Sequence, residues 1–377
     1  MLLDEGKISL DFRYRYEFVD QDGFDEEANA NTLRTRLGFQ SGNWRGIDFN
    51  IEFNDVREIT DDYNAGGGTT PGRTEYPVVA DPKGTRLNQG YVNYTGIEDW
   101  GFKVGRQRMN LDNQRFVGSV GWRQTEQVFD TGQVSWGTDA AYVAVTYVED
   151  VQRIYGPNSD IGSDDQDGTV FVNGGLNTPV GKLVGYYYHI EDEDSASFSS
   201  DSVGVRLAGN WKMSDDWALR YEAEYAHQND AGNNPVDFSA DYFHANASAV
   251  TGILDFGLGW ELLGGDADTV ANEAFRTPFA TLHKFNGWAD QFLTTPAAGL
   301  SDFYLTVNAK PGKFLFQAQY HAFEADDGGA EYGDEIDLQA GYGFTKRLRA
   351  DFFLAEFNGR NGFSDVTKVW LQALFTL

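Results

Sequence analysis

Apolar and polar residues alternate with a period of two along most of this chain. Within residues 7–18, Ile8, Leu10, Phe12, Tyr14, Tyr16 and Phe18 interleave with Lys7, Ser9, Asp11, Arg13, Arg15 and Glu17. A helix would scatter those apolar residues around its circumference, whereas a strand puts them all on one face. The pattern returns at 47–53, 203–211, 217–225, 303–307, 314–320 and 336–344. Ten such residues, rising ~3.3 Å each at a tilt of ~45°, climb roughly 23 Å, close to the ~25 Å apolar band of an outer-membrane barrel.

The connections alternate in length as well. About eighteen strands are joined by short links near 41–45, 95–100, 137–139, 174–182, 212–216, 251–252, 310–313 and 345–347. Between these fall long, mostly acidic links near 19–31, 56–84, 110–126, 149–168, 191–201, 229–240, 264–299, 324–334 and 358–365. A soluble sandwich accounts for the period of two but gives no reason for this parity. Short periplasmic turns opposite long extracellular loops, at an even strand count, are the layout of bacterial barrels. The expected fold is all-β: one transmembrane antiparallel β-barrel domain over residues 1–377, with about 18 strands. A lipid-exposed sheet edge would leave backbone groups unpaired in hydrocarbon, so the first and last strands must pair. The closing stretch alternates Val369, Leu371, Ala373 and Phe375 with Trp370, Gln372 and Thr376. It is similar to the terminal strand read by the barrel-assembly machinery, but ends on Leu377 where such strands usually end on Phe or Trp.

Composition agrees. The chain has 28 Phe, 19 Tyr, 9 Trp and 43 Gly, and no apolar run reaches the ~18–20 residues of a membrane helix, a combination that suits a barrel. A net charge of −29 argues against nucleic acid or an anionic membrane surface as partner. The absence of Cys excludes disulfides and thiolate chemistry. Charge begins at Asp4, so the sequence reads as a mature form after signal-peptide removal, a monomer in the bacterial outer membrane among lipid and lipopolysaccharide. No plug domain precedes the first strand, so an energised, plug-gated transporter is not expected.

The inward positions decide what passes. Arg13 and Arg15 on the first strand and Arg34 and Arg36 on the second share inward parity and, with strands ~4.8 Å apart, form a basic patch on one wall. Arg206, Arg220 and Arg349 are inward too. Guanidinium grips carboxylate in bidentate fashion, so this wall favours anions. The other reading pairs these arginines with inward Asp11, Glu17, Asp48, Glu52, Glu222 and Glu224 to stiffen a wet wall. The two are compatible, since an eyelet commonly sets a basic wall against an acidic one. No cofactor is expected; Asp164, Asp165 and Asp167 read as a solvated charge run, with Ca²⁺ as the alternative. No enzyme is expected either: His244 and Ser248 share the inward face, but four residues along a strand separate them by ~13 Å.

Two loop regions are more specific. "GFKVGRQRMNLDNQRFVGSVGWRQTEQVFD" (101–130) and "FRTPFATLHKFNGWADQF" (275–292) resemble the alginate-export family of outer-membrane barrels. The resemblance implies a single-chain channel narrowed by loops, whose Arg and Lys attract uronate carboxylates. It makes Arg106, Arg108, Arg115 and Arg123 constriction candidates, beside Glu52, Glu222 and Glu224 on the wall. Phe102 and Val104 share a face with Arg106 and Arg108, which requires a bulge or an inward apolar pair. Arg115, Trp122 and Arg123 also read as pins for an inward loop, and His283, Trp288 and Asp290 as loop packing. The strong acidity argues against a dedicated polyanion exporter. The expected function is passive diffusion of small hydrophilic solutes, with acidic sugars or other small anions as the preferred class; a channel specific for alginate or another polyuronate is the alternative.

Overall fold

The computed structural model describes residues 3, 5–268 and 271–377. Met1, Leu2 and Asp4 at the start, and Thr269 and Val270 in the 264–299 connection, lie outside the described residues. The wall opens with β1 (Lys7–Gln21), β2 (Ala28–Gln40), β3 (Ile47–Glu58), β4 (Gly84–Tyr94), β5 (Trp100–Gln107) and β6 (Val128–Gly137). β7 (Ala141–Gln152) is followed by the three-residue β8 (Ser163–Asp165), which pairs with the end of β7 and is not part of the wall. The wall continues through β9 (Val170–Thr178), β10 (Gly181–Ile190), β11 (Ser200–Lys212), β12 (Trp217–Asp230), β13 (Ser239–Thr251) and β14 (Leu254–Leu263). β15 (Leu300–Ala309), β16 (Phe314–Glu324), β17 (Glu331–Gly343), β18 (Leu348–Gly359) and β19 (Val366–Thr376) complete it.

Each of these eighteen wall strands pairs antiparallel with its neighbours, and β1 pairs with β19 from Asp11↔Thr376 to Gln21↔Val366. The barrel is therefore closed, with no edge facing lipid. Short turns sit at one end and long connections at the other, in the expected alternation. One turn is tighter than expected: β9 runs on through Gly174 and Gly175, leaving only residues 179–180 between it and β10. Within β9 the Tyr142 ring lies over Gly175, where a Cβ would stand 2.4 Å from it.

The outer face is layered as a membrane demands. Trp44, Trp100, Trp211, Trp217, Phe314 and Phe344 stand exposed near the short turns. Tyr147, Tyr187, Tyr225, Trp260, Phe303 and Tyr320 stand exposed towards the long loops. Aliphatic side chains such as Leu37, Ile51, Val92, Val205, Leu258 and Leu338 fill the band between. These are the two aromatic girdles and apolar belt of an outer-membrane barrel.

The apolar core lies inside the lumen. There it joins inward-folded loops to the wall. Phe116 packs against Tyr186 (ring centroids 5.1 Å apart), Tyr242 (5.4 Å) and Phe275 (5.8 Å). Trp122 stacks on His283 at 4.1 Å and meets Trp370 edge-on at 5.5 Å. Phe292 packs on Phe323 at 4.6 Å. Aromatic contacts of this kind each add about 0.5–1.5 kcal/mol beyond area burial, enough to hold a loop against the wall.

Candidate channel constriction

Two connections, 108–127 and 264–299, fold into the lumen and join to form a plate across it. Val117 and Phe279 form a parallel bridge; the Gly118 N–H donates to the Phe279 carbonyl at 2.8 Å and the Thr281 N–H to the Gln114 carbonyl at 3.0 Å. Gln127 Nε2 donates to the carbonyls of both Gly118 (2.9 Å) and Phe279 (3.1 Å), locking the seam. At Gly118 a Cβ would lie 2.2 Å from Thr281 Oγ1, so the two chains approach only because the residue is glycine. Val120, next to this seam, takes φ of +49°, a conformation that costs a β-branched residue about 1–3 kcal/mol. Its N–H donates to Thr281 Oγ1 at 3.1 Å, one of the contacts that hold it there.

The wall arginines anchor this plate. Arg13 donates through Nε to Gln124 Oε1 (2.8 Å), through Nη1 to the Gly121 carbonyl (3.0 Å) and through Nη2 to the Arg123 carbonyl. Arg15 lies over the Trp122 ring at 4.1 Å and donates to Gln372 Oε1 at 2.8 Å. Arg34 pairs with Asp11, and Arg36 with Asn54 (2.9 Å) and Glu126 (3.2 Å). Arg108 binds Glu126 through Nε at 2.7 Å and Glu52 through Nη2 at 3.0 Å. Arg115, 1% exposed, donates to Glu261 at 2.9 Å and Asn286 at 3.0 Å. Arg123 bridges Glu17 (3.3 Å) and Asp290 (2.9 Å). Arg206 grips Glu222 at 2.9 and 2.5 Å and lies 3.9 Å from Glu224. Arg220 pairs with Asp255, and Arg349 with Asp351 at 2.5 Å, both near the periplasmic mouth. Most of the inward arginines are thus joined to carboxylates, while Arg13 and Arg15 are turned onto the loops and Asp48 accepts from the Gln40 and Asn93 amides.

Arg106 does not belong to the lumen. β5 runs in unbroken register from Trp100↔Trp136 to Gln107↔Phe129, so neither a bulge nor an inward apolar pair occurs. Gln107 and Phe129 are buried inside, whereas Phe102, Val104 and Arg106 share the outward face. Arg106 makes a bidentate pair there with Asp130, at 2.8 and 2.6 Å. The parity of two overrides the sign of the charge. Arg108, just past the strand, is released from that parity and turns inward.

Electrostatics fix the loop charges. Burial pushes Glu126 up, but Arg36 and Arg108, with an Asn88 hydrogen bond, outweigh it and hold the carboxyl at about 2. Burial likewise opposes ionisation of Asp290, yet His283, Lys368 and Arg123 keep it well below the usual carboxylate range. Burial lowers His283, against the pull of Asp290, whose Oδ1 lies 2.8 Å from its Nδ1.

Two chambers, each lined by charged and apolar side chains, flank the plate, and His283 and Asn286 line both. The extracellular chamber, about 870 Å³, carries Arg115, Arg123, Arg153, Arg276 and Lys368 against Asp164 and Asp290. The periplasmic chamber, about 660 Å³, carries Glu222, Glu261 and Asp302 against Arg13 and Lys284. Several of these residues escape a reading by strand parity. Arg153, Arg276 and Lys284 sit in loops, and so does Asp81, which accepts the Gln124 N–H at 2.6 Å. Lys368 was open to detection, since it alternates inward with Trp370 and Gln372. Of the acidic run, Asp164 pairs with Arg153.

A closed, girdled, eighteen-strand barrel with a loop-narrowed polar lumen is a porin-type β-barrel of the bacterial outer membrane. The chain belongs to the alginate export family, whose model matches residues 5–262. No curated protein sequence matches it significantly. Among solved structures it is similar to OccAB2 of Acinetobacter baumannii (TM-score 0.78, 16% identity, covering 100% of this chain and 98% of that one). It is also similar to OpdK of Pseudomonas aeruginosa, solved with vanillate (0.75, 14%, 100% of both chains). OccK9 (OpdG) of the same organism gives 0.77 at 14% identity, covering 100% and 99%. At these identities the likeness is one of fold.

Proposed function

We propose that the chain is a passive channel for small hydrophilic solutes, with acidic sugars or other small organic anions preferred. The observation that carries this reading is the pair of chambers with charged linings, about 870 and 660 Å³, on either side of one plate inside a closed barrel. Chambers of this size suit small molecules. In the extracellular chamber Arg115, Arg123, Arg153 and Lys368 are paired with carboxylates, while Arg276 donates to backbone carbonyls and keeps a charge that favours the arrival of carboxylates. OpdK, similar in fold, was solved with vanillate, a small carboxylate. The channel works without a catalytic step, as a monomer surrounded by lipid and lipopolysaccharide. The family match supports a second reading, a path for alginate or another polyuronate.

The test is the reversal potential of the purified protein in a planar bilayer under a KCl gradient, repeated with short uronate oligomers on one side. Anion selectivity with concentration-dependent block by uronates is expected. Cation selectivity, or steady conductance without block, would make it a general porin whose arginines serve only the architecture.

A further inference from the structure

One cluster on the periplasmic side of the plate is not explained by its hydrogen bonds. Glu222 and Glu224 lie on the inward face of β12, and His244 sits opposite Glu224 on β13. One ligand-capable atom from each falls within 4.8 Å of the others. The His244 side chain is 6% exposed, and its Nε2 is engaged with the Tyr304 hydroxyl at 2.8 Å. Its Nδ1 is buried without a hydrogen-bond partner and lies 3.6 Å from Glu222 Oε1. That separation is too long for a hydrogen bond. It suits two ligands of one ion, because metal bonds of ~2.1 Å place neighbouring ligands roughly 3.0–3.4 Å apart.

The loop tip adds a second feature. Asn113 Nδ2 lies 2.7 Å from Glu222 Oε1 and 3.1 Å from Glu224 Oε2, a single amide donor bridging the two carboxylates. Arg206 pairs with Glu222 and lies 3.9 Å from Glu224, so one guanidinium serves both carboxylates beside the imidazole. The Tyr186 hydroxyl, 2.8 Å from Glu224 Oε1, and that of Tyr304 orient two of the three groups, as outer partners do in metal sites. Asn113, Glu222 and His244 all line the periplasmic chamber, so the cluster can be reached from the lumen.

We propose that His244 Nδ1 with one oxygen each of Glu222 and Glu224 forms a site for a divalent transition-metal ion such as Zn²⁺, which displaces the Asn113 amide. An imidazole nitrogen with two carboxylates is a ligand set that Zn²⁺ takes readily, whereas Ca²⁺ and Mg²⁺ favour oxygen alone. The inference stands apart from the solute reading and needs no conductance to test it.

The experiment is calorimetric titration of ZnCl₂ into the untagged, detergent-folded full chain, with the visible spectrum of Co²⁺ as a second signal. One saturable site is expected. His244→Gln should weaken it by at least about tenfold, in line with the loss of a metal-site partner, and Asn113→Ala should tighten it by removing the competing amide. Half-buried His189 and His227, each beside an aspartate, contribute the same background in every variant. Coincident isotherms for wild type and His244→Gln would overturn the proposal. So would an Asn113→Ala variant that binds Zn²⁺ no more tightly, and this result decides even if His244→Gln does not fold.

Discussion

The two chambers share a boundary at His283 and Asn286, yet one is rich in cations and the other holds acids and bases in near balance. Loops supply most of the extracellular chamber's cations: Arg115 and Arg123 from one connection, Arg153 and Arg276 from two others, with Lys368 added by the wall. Wall strands supply the periplasmic chamber's acids, Glu222 from β12, Glu261 from β14 and Asp302 from β15. A chain of net charge −29 thus presents a cation-rich antechamber to solutes from outside. Selectivity in such a barrel follows from where the loops place their arginines. The total charge describes mainly the outer loops.

The largest way to break this contrast is to remove the partition. Arg115 faces the extracellular chamber while its partner Glu261 faces the periplasmic one, and both are almost fully buried. Arg115→Ala would leave Glu261 without its counter-ion and take one partner from Asn286. Breaking a buried pair from one side costs about 3–5 kcal/mol. A clear rise in single-channel conductance is expected, with a lower unfolding temperature in detergent. Wild-type values of both would show that the seam at Val117 and Phe279 holds the plate without this pair.

A smaller change sharpens the contrast without breaching the plate. The Arg276 guanidinium donates to the carbonyls of Ser197 and Asn272 and not to a carboxylate, so its charge is available to the chamber. Arg276→Gln should move the reversal potential towards cation selectivity. Asp302→Asn in the periplasmic chamber should move it the other way, and by less, because His321 at 2.9 Å and the Asn286 amide at 3.1 Å already engage that carboxylate. Shifts of one sign from both variants would mean that the lumen acts as a single averaged field. Each shift is read in planar bilayers under a salt gradient.

Legibility in the sequence follows the same division between wall and loop. Strand parity places Arg13, Arg15, Arg34 and Arg36 inward because a period of two leaves no freedom once one face meets lipid. The alternation of short and long links marks 110–126 and 264–299 as connections. Their fold into the lumen is not written in any local pattern. It depends on Gly118 admitting Thr281, on Phe116 finding Tyr186 and Tyr242, and on Arg13 reaching the Gly121 carbonyl 108 residues away. Contacts that distant join residues with no common periodicity, so the pairing of Arg115 with Glu261 or of Arg123 with Asp290 becomes visible only in three dimensions.

Arg106 tests the boundary between those two regimes, and its expected effect is the smallest. The residue lies in a family-like motif beside Arg108, and its charge alone would assign both to the constriction. β5 keeps its register through Gln107, which leaves Arg106 on the outer surface with Asp130 and turns only Arg108 inward. A partly exposed pair of this kind contributes under about 1 kcal/mol. Arg106→Gln should therefore leave conductance, reversal potential and uronate block at wild-type values. Arg108→Gln, which takes the arginine from Glu52 and leaves the buried Glu126 with Arg36 as its remaining cation, should alter all three. A selectivity change in Arg106→Gln as large as that in Arg108→Gln would mean that the strand is re-registered in the membrane and that parity fails at the one position where it opposes the motif.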